Sequence, residues 1–220
     1  MKFFKKLLIL LVLISTVITS LLSCDRKYDE AEVIAAATRL IQKADVLEDI
    51  LYGEGYAPDT MDASVGAYKK ADIFSINQYS ERLGESVNTV DELKAAVMRV
   101  YTAGYASNII SVILNGSMDS YTRYYQDRED IMVYTTFQKR KTDEIEYHYQ
   151  TLKVDDVDGE KITVSIEVTV TTKDARAQRK RIQIDMLEES SGWRLDTSAF
   201  TVYNDRGQEY KDLENELNKR

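Results

Sequence analysis

The sequence has very few of the residues that most often staple a chain or carry out catalysis. Its 220 residues include one cysteine, one histidine and one proline. A single cysteine excludes a disulfide within the chain, so packing must stabilise the fold. One histidine and one cysteine leave few residues from which a Cys/His or a Ser/His/Asp catalytic site could be built. It also has no phosphate-binding loop and no dinucleotide-binding glycine pattern.

Positive charge is also scarce. The chain has 29 Lys and Arg against 37 Asp and Glu, which gives a formal charge of −8. The first 23 residues carry three lysines and no acid, so a mature chain without them would be near −11. Nucleic-acid binding needs a basic surface, so we predict no nucleic-acid partner. With 44% apolar and 30% charged residues, the composition is typical of one globular domain.

The N-terminus has the pattern of a lipoprotein signal. Three lysines precede an uncharged run over residues 7–22, which is short for a membrane span of about 20 residues. The sequence LLSC that ends at Cys24 resembles a bacterial lipobox, whose cysteine is lipidated and becomes the mature N-terminus. We therefore predict a signal peptide over residues 1–23, lipidation of Cys24 and a short tether over residues 24–28. Two acyl chains would hold the domain on the outer face of the cell membrane.

Helical periodicity follows the tether. A long first helix is predicted to start near Asp29 and to stop at Gly53. Its apolar stripe recurs at steps of three and four, at Val33, Ala37, Leu40, Ala44, Leu47 and Leu51. Residues 56–72 are predicted to form a loop. A capping-box pattern from Thr89 to Glu92 predicts a second helix, and a short further helix is predicted before Asn115.

Strand patterns fill the second half of the chain. Apolar and polar residues alternate strictly along the central segment, with Ile162, Val164, Ile166, Val168 and Val170 on one face. Two more strands follow it up to residue 203, and two precede it, over residues 131–137 and 144–150. Residues 155–159 are predicted to form a turn. The predicted fold is a single α+β domain over residues 29–204, with N-terminal helices packed on a curved antiparallel sheet of four to five strands. Residues 205–220 form a polar tail in which Leu213 and Leu217 favour a terminal helix.

Three sets of polar residues could form catalytic, metal or binding sites. His148, the only histidine, is expected on the surface, because a general base would need a placed partner. The acids Asp155, Asp156, Asp158 and Glu160 crowd one turn, but they lack the EF-hand spacing, which favours a solvated turn over a calcium site. The basic residues Lys173, Arg176, Arg179, Lys180 and Arg181 surround a hairpin. That hairpin is either merely solvated or able to touch lipid headgroups or anionic wall polymers.

Tyrosine is abundant, with 15 in the chain. Tyr121, Tyr124 and Tyr125 cluster before the first predicted strand. Tyrosines supply rigid, amphipathic area that is favoured in interfaces, so these three are the predicted partner contacts. The alternative is that they line the rim of the core with their hydroxyls in water.

The order of elements resembles a known fold. Helices followed by an antiparallel meander that ends in Gly192-Trp193-Arg194-Leu195-Asp196 resemble the NTF2-like (cystatin-like) α+β roll. More narrowly, VDELKAAVMRVYTAGY over residues 90–105, a polar spacer and the strand set through Phe200 are similar to secreted Gram-positive inhibitors of DL-endopeptidases, the autolysin-inhibitor family. The resemblance covers about residues 29–203 and implies a domain that occupies the active-site cleft of a cell-wall hydrolase. It assigns no individual inhibitory residue.

Two classes of function stay open at this point. The first is a non-catalytic, membrane-anchored binding module with an extracytoplasmic protein partner such as a peptidoglycan hydrolase. The alternative is an NTF2-like domain that binds an apolar small ligand in its roll, or a weak enzyme. The aliphatic inward face of the central strand disfavours a polar catalytic pocket. We therefore predict no catalytic residues, no cofactor and no metal.

Overall fold

The computed structural model describes residues 28–62, 66–115, 122–139, 141, 143–172 and 176–197. The predicted signal peptide, Cys24 and the tail over residues 205–220 lie outside the described residues. The described chain is α+β, with four α-helices and two antiparallel sheets. None of the helices found in these ranges combines the length and apolar character that crossing a membrane requires.

The helices come first in the chain. They are α1 (Glu30–Tyr52), α2 (Ile73–Leu83), α3 (Val90–Val100) and α4 (Ala103–Ile109), which continues into a π-helical turn (Ile110–Leu114). The strands are β1 (Tyr68–Lys70), β2 (Tyr124–Asp127), β3 (Asp130–Tyr134), β4 (Glu144–Asp158), β5 (Lys161–Thr171), β6 (Ala177–Glu189) and β7 (Gly192–Leu195).

The predicted start and stop of α1 and the predicted start of α3 are confirmed. Asp29 caps α1 by accepting a hydrogen bond from the Ala31 amide, and Gly53 follows its last residue. The capping box of α3 is complete, because Thr89 accepts from the Glu92 amide while the Glu92 side chain accepts from the Thr89 amide. These caps satisfy backbone donors that a helix leaves unpaired at its start.

Helix α2 and the short strands β1 and β2 are additions to the predicted fold. Helix α2 is capped by the Asp72 side chain and ends at Gly84 in the left-handed conformation. It buries only Ile76, Tyr79 and Leu83, a stripe too thin to show in the sequence. Strand β1 lies inside the stretch that was predicted to be loop, and its three residues are too short for an alternating pattern.

The strands form two sheets, which corrects the prediction of one. The larger sheet has the order β4-β5-β6-β7, and the smaller has the order β1-β3-β2. The strand predicted at residues 131–137 is β3, and it pairs with β1 and β2 instead of β4. Strand β4 continues to Asp158, so the predicted turn at residues 155–159 is shorter and falls at Gly159 and Glu160. The register of β4 on β5 shifts between His148 and Lys153, and again between Val154 and Asp156, where one extra residue of β4 makes a β-bulge.

The predicted buried face of the central strand is confirmed. All five alternating residues of β5 are at most 4% exposed: Ile162, Val164, Ile166, Val168 and Val170. Helix α1 contacts both edge strands of the larger sheet, β4 and β7. On the helix, Leu47 is fully buried and Leu40 is half-buried against the same core. Helix and sheet therefore share one hydrophobic core.

Truncation of Ile166 tests this core. We expect Ile166→Ala to lower the free energy of unfolding by about 2–5 kcal/mol, because the side chain is fully buried and leaves a cavity. The matched control is Thr171→Ala on the same strand, whose partly exposed side chain should matter by less than about 0.5 kcal/mol. Urea denaturation of both variants measures the difference. An Ile166→Ala loss as small as that of the control would contradict the assigned face.

Candidate functional site

The outer face of the small sheet carries the most exposed aromatic cluster along the described strands. Ile131 and Val133 of β3 point inward and are buried, so Met132 and Tyr134 point outward. The register places Tyr68 of β1 opposite Tyr134, and Tyr125 of β2 opposite Met132. We call Tyr68, Tyr125, Met132 and Tyr134 the outer tyrosine face.

The three rings of the outer tyrosine face contact one another. The Tyr68 ring meets Tyr125 edge-on, with centroids 4.7 Å apart, and lies 5.2 Å from the Tyr134 ring. The Tyr68 hydroxyl donates to the Thr122 carbonyl at 2.7 Å, which fixes its ring across the sheet. Tyr125 is 38% exposed. The face therefore offers rigid, half-exposed aromatic area, which suits contact with a partner.

Acidic groups border the outer tyrosine face. Lys70 of β1 pairs with Asp130 at 2.8 Å, and its backbone amide donates to Asp62. The hydrogen bond that Lys70 donates to Asp130 raises the pKa of Lys70, and the negative charges of Asp130, Asp59 and Asp62 raise it further. Asp127 and Glu129 beside the β2–β3 turn are exposed. Such a rim favours a partner with a basic surface.

Of the predicted contact tyrosines that the structure describes, Tyr125 lies on this face and Tyr124 does not. Tyr121 is outside the described residues. Tyr124 points inward from β2 and is fully buried; its hydroxyl donates to the Ile50 carbonyl at 2.8 Å and accepts from the Tyr56 amide at 3.1 Å. A fully buried side chain offers no area to a partner, so Tyr124 is a core residue. Tyr134 was not among the predicted contacts. Its place directly after the inward-facing Val133 indicates an outward side chain.

Beside Tyr124, a buried arginine fastens the end of α1 to the small sheet. Arg123 is 3% exposed and donates to the carbonyls of Gly53 and Glu54 at 2.8 and 2.9 Å. Its guanidinium lies 4.4 Å from the centre of the Phe137 ring. The backbone of Gly55 passes directly over this group with a φ of +66°. A side chain there would run into the Tyr124 hydroxyl and the Arg123 guanidinium.

A pair of glycine variants tests this attachment. Gly84 also has a positive φ, +69°, but has open space around it. We expect Gly84→Ala to cost about 1–2 kcal/mol for the left-handed backbone alone. Gly55→Ala should cost more than about 3 kcal/mol, since it adds the clash to the same backbone strain. Thermal or urea unfolding gives both values, and equal losses would show that the contact over Gly55 does not constrain the fold.

Among the residues that the structure describes, one carboxylate is fully buried. Glu48 of α1 is fully buried, and the Tyr101 hydroxyl donates to its Oε1 at 3.3 Å. Burial raises the pKa of Tyr101 well above its usual value, and the charge of Glu48 adds to this effect. The alternating pattern of the strands gives no sign of Glu48, because this carboxylate enters the core from the helix. Since both side chains are enclosed by the core, we interpret them as a core hydrogen bond.

A cleft of about 550 Å³ lies between the second half of α1 and the start of β4. Its lining is mainly charged and consists of Asp45, Asp49, Glu54, Arg82, Lys141, Asp143, Glu144, Ile145, Glu146, Thr169 and Thr171. Two of its carboxylates are paired within the cleft, Asp45 with Lys141 at 2.6 Å and Asp49 with Arg82 at 3.1 Å. This lining does not suit an apolar ligand. This cleft therefore does not support the predicted binding of an apolar ligand, which stays a prediction.

His148 and Asp155, which were considered above as a catalytic and a metal-binding residue, make hydrogen bonds on the larger sheet. His148 is half-buried and lies 2.8 Å from the Thr169 hydroxyl. Hydrogen bonds from Lys153 and Gln183 lower the pKa of Asp155 to about 2. In the ranges that the structure describes, no three His, Cys, Asp or Glu side chains are grouped to hold a metal ion.

The basic hairpin is partly neutralised. Arg179 and Arg181 of β6 both pair with Glu167 of β5. All four described basic residues of the hairpin are exposed: Arg176, Arg179, Lys180 and Arg181. Lys173 lies outside the described residues. The exposed positive charge of this hairpin is therefore smaller than the sequence indicates.

The chain was also compared with known proteins. No protein-family model matches it, and no curated protein matches it. Any function must therefore be argued from the sequence and the site.

Proposed function

We propose that this chain is an extracytoplasmic lipoprotein whose domain is a non-catalytic binding module for another protein. The observation that carries the proposal is the outer tyrosine face. Its rings lie on a rigid sheet, point away from the core and are half-exposed, so they supply contact area at low cost in side-chain entropy. Aromatic residues of this kind are enriched at the energetic centres of interfaces.

The proposed partner is a cell-wall hydrolase. Support comes from the resemblance to inhibitors of DL-endopeptidases and from the lipobox pattern, which would place the domain where wall enzymes work. The acidic rim and the net charge of −8 would speed encounter with basic enzymes, an effect that weakens as salt is added. Helices packed on an antiparallel sheet also agree with the NTF2-like roll that we propose as the fold family.

The anchor is tested by substitution of the lipidated residue. Cys24→Ala removes the only thiol of the chain. We expect the variant to be released from membranes or to keep its signal peptide, because no thioether can form. Membrane fractionation with the mature mass measured by mass spectrometry gives the result. A variant that stays on membranes at the wild-type mature mass would overturn the lipoprotein proposal.

The contact surface is tested with the purified mature domain without its lipid. We expect saturable binding to at least one peptidoglycan hydrolase by calorimetry, together with slower release of muropeptides. Tyr125→Ala and Tyr134→Ala should each weaken binding by about tenfold or more, as truncation of a central aromatic contact does. Met98→Ala is the matched control, since Met98 is 57% exposed on α3, outside this face.

The melting temperatures of all three variants show whether each is folded. Unchanged hydrolysis and no binding heat across the hydrolases would overturn the inhibitor proposal. Saturable binding of an apolar small molecule would support the ligand-binding alternative instead. Equal weakening by Met98→Ala would show that the outer tyrosine face is not the contact surface.

A further inference from the structure

The chain enters the described domain at one end of the larger sheet. The hydroxyl of Tyr28, the first described residue, donates to the Gly159 carbonyl in the β4–β5 turn at 2.6 Å. Its ring lies 5.4 Å from that of Trp193, the second residue of β7. The Glu188 amide donates to the Glu160 carbonyl, so the end of β6 lies beside the same turn. We call the region of Tyr28, Gly159 and Trp193 the entry end.

The opposite end of the domain lies a full strand length away. Strand β5 has 11 residues and spans about 35 Å. Helix α1 starts two residues after Tyr28 and has 23 residues, which also span about 35 Å. At its C-terminus the Tyr52 carbonyl accepts from the Lys141 amide, just before β4 begins. The basic hairpin between β5 and β6 lies at this far end, since the Thr172 amide donates to the Arg176 carbonyl there.

The small sheet is attached near the far end. Tyr124 of β2 donates to the carbonyl of Ile50, in the last turn of α1. Arg123 beside it donates to the carbonyls that directly follow that helix. The outer tyrosine face therefore belongs to the half of the domain remote from Tyr28.

The predicted anchor lies four residues before Tyr28. Four residues reach at most about 14 Å even when fully extended, which is less than half of the length of α1. We propose that the entry end faces the membrane and that the far end, with the outer tyrosine face and the basic hairpin, points away from it. This inference rests on the lipid anchor of the proposed function and adds a fixed orientation to it.

The charges of the two ends do not impose this orientation; the short tether does. Asp156, Asp158 and Glu160 at the entry end are exposed, and anionic lipids would repel them. The tether is longer than the screening length of about 8 Å at physiological salt, so the turn can stand clear of the headgroups. The exposed Arg176 and Lys180 lie beyond the reach of the headgroups, because Lys180 pairs with Val168, about 23 Å along β5 from Lys161 at the entry end. Of the two contacts predicted for the hairpin, this orientation leaves only the wall polymers.

Energy transfer to labelled lipids tests the orientation. Lipidation consumes the only native thiol, so a single added cysteine can be labelled selectively. The lipidated mature protein is reconstituted into phosphatidylcholine vesicles that carry an acceptor dye on the headgroups. The dye pair is chosen so that its Förster distance is shorter than the length of α1. Asp158→Cys carries the donor at the entry end, and Lys180→Cys carries it at the far end. Both positions are exposed.

We expect transfer from position 158 to be at least about three times that from position 180, since Asp158 pairs with Lys161 and Lys180 pairs with Val168, about 23 Å farther along β5. A donor on Asp127→Cys, an exposed position at the end of β2, should show a transfer efficiency similar to that of position 180. This position does not depend on the structure of the hairpin. Protein that floats with the vesicles but shows equal or reversed efficiencies would overturn the orientation and leave the anchor intact. Protein that does not float would instead overturn the anchor and the orientation with it. Cys24→Ala with the same labels gives the background without anchoring.

Discussion

Burial of the aliphatic face of β5 is the constraint on which the rest of the structure depends. No disulfide is available in a chain with one cysteine, so removal of apolar area from water must outweigh the entropy of ordering the chain. The five inward residues of β5 cannot be covered by the strand's own neighbours. Helix α1 joins them in one hydrophobic core and contacts both edge strands of the sheet. Its 23 residues and the 11 residues of β5 each span about 35 Å, which gives the domain two distinct ends.

Polar groups were placed around this core in two different ways. Arg123 and Tyr124 reach into it from β2 and satisfy carbonyls at the end of α1, where a helix leaves acceptors without partners. Glu48 lies within the helix itself and is enclosed by the core beside Tyr101. The first arrangement attaches the small sheet. It thereby fixes the position of the outer tyrosine face relative to the point where the chain enters.

Long periodic elements could be predicted from the sequence, and short ones could not. Helix α1, the cap of α3 and the faces of β5 follow from patterns that repeat over many residues. Strands β1 and β2 have three and four residues, so their pairing with β3 decides their structure and local alternation does not. The same limit applies to the candidate site. Tyr124 and Tyr125 are neighbours in sequence, and only the existence of β2 sends one into the core and the other to the surface.

The bulge in β4 bears on how copies of this protein behave side by side. Strand β4 forms one edge of the larger sheet, whereas the other edge, β7, is bridged to Tyr101. An open edge is a template for strand pairing between molecules, and the lipid anchor that we propose would bring copies together in the plane of a membrane. The register shifts between His148 and Lys153 and between Val154 and Asp156 break the regular spacing of backbone donors and acceptors that a second strand would need. Exposed carboxylates at Glu144, Glu146, Asp156 and Asp158 add repulsion between identical edges. The domain can therefore be crowded on a surface without polymerising through its sheet.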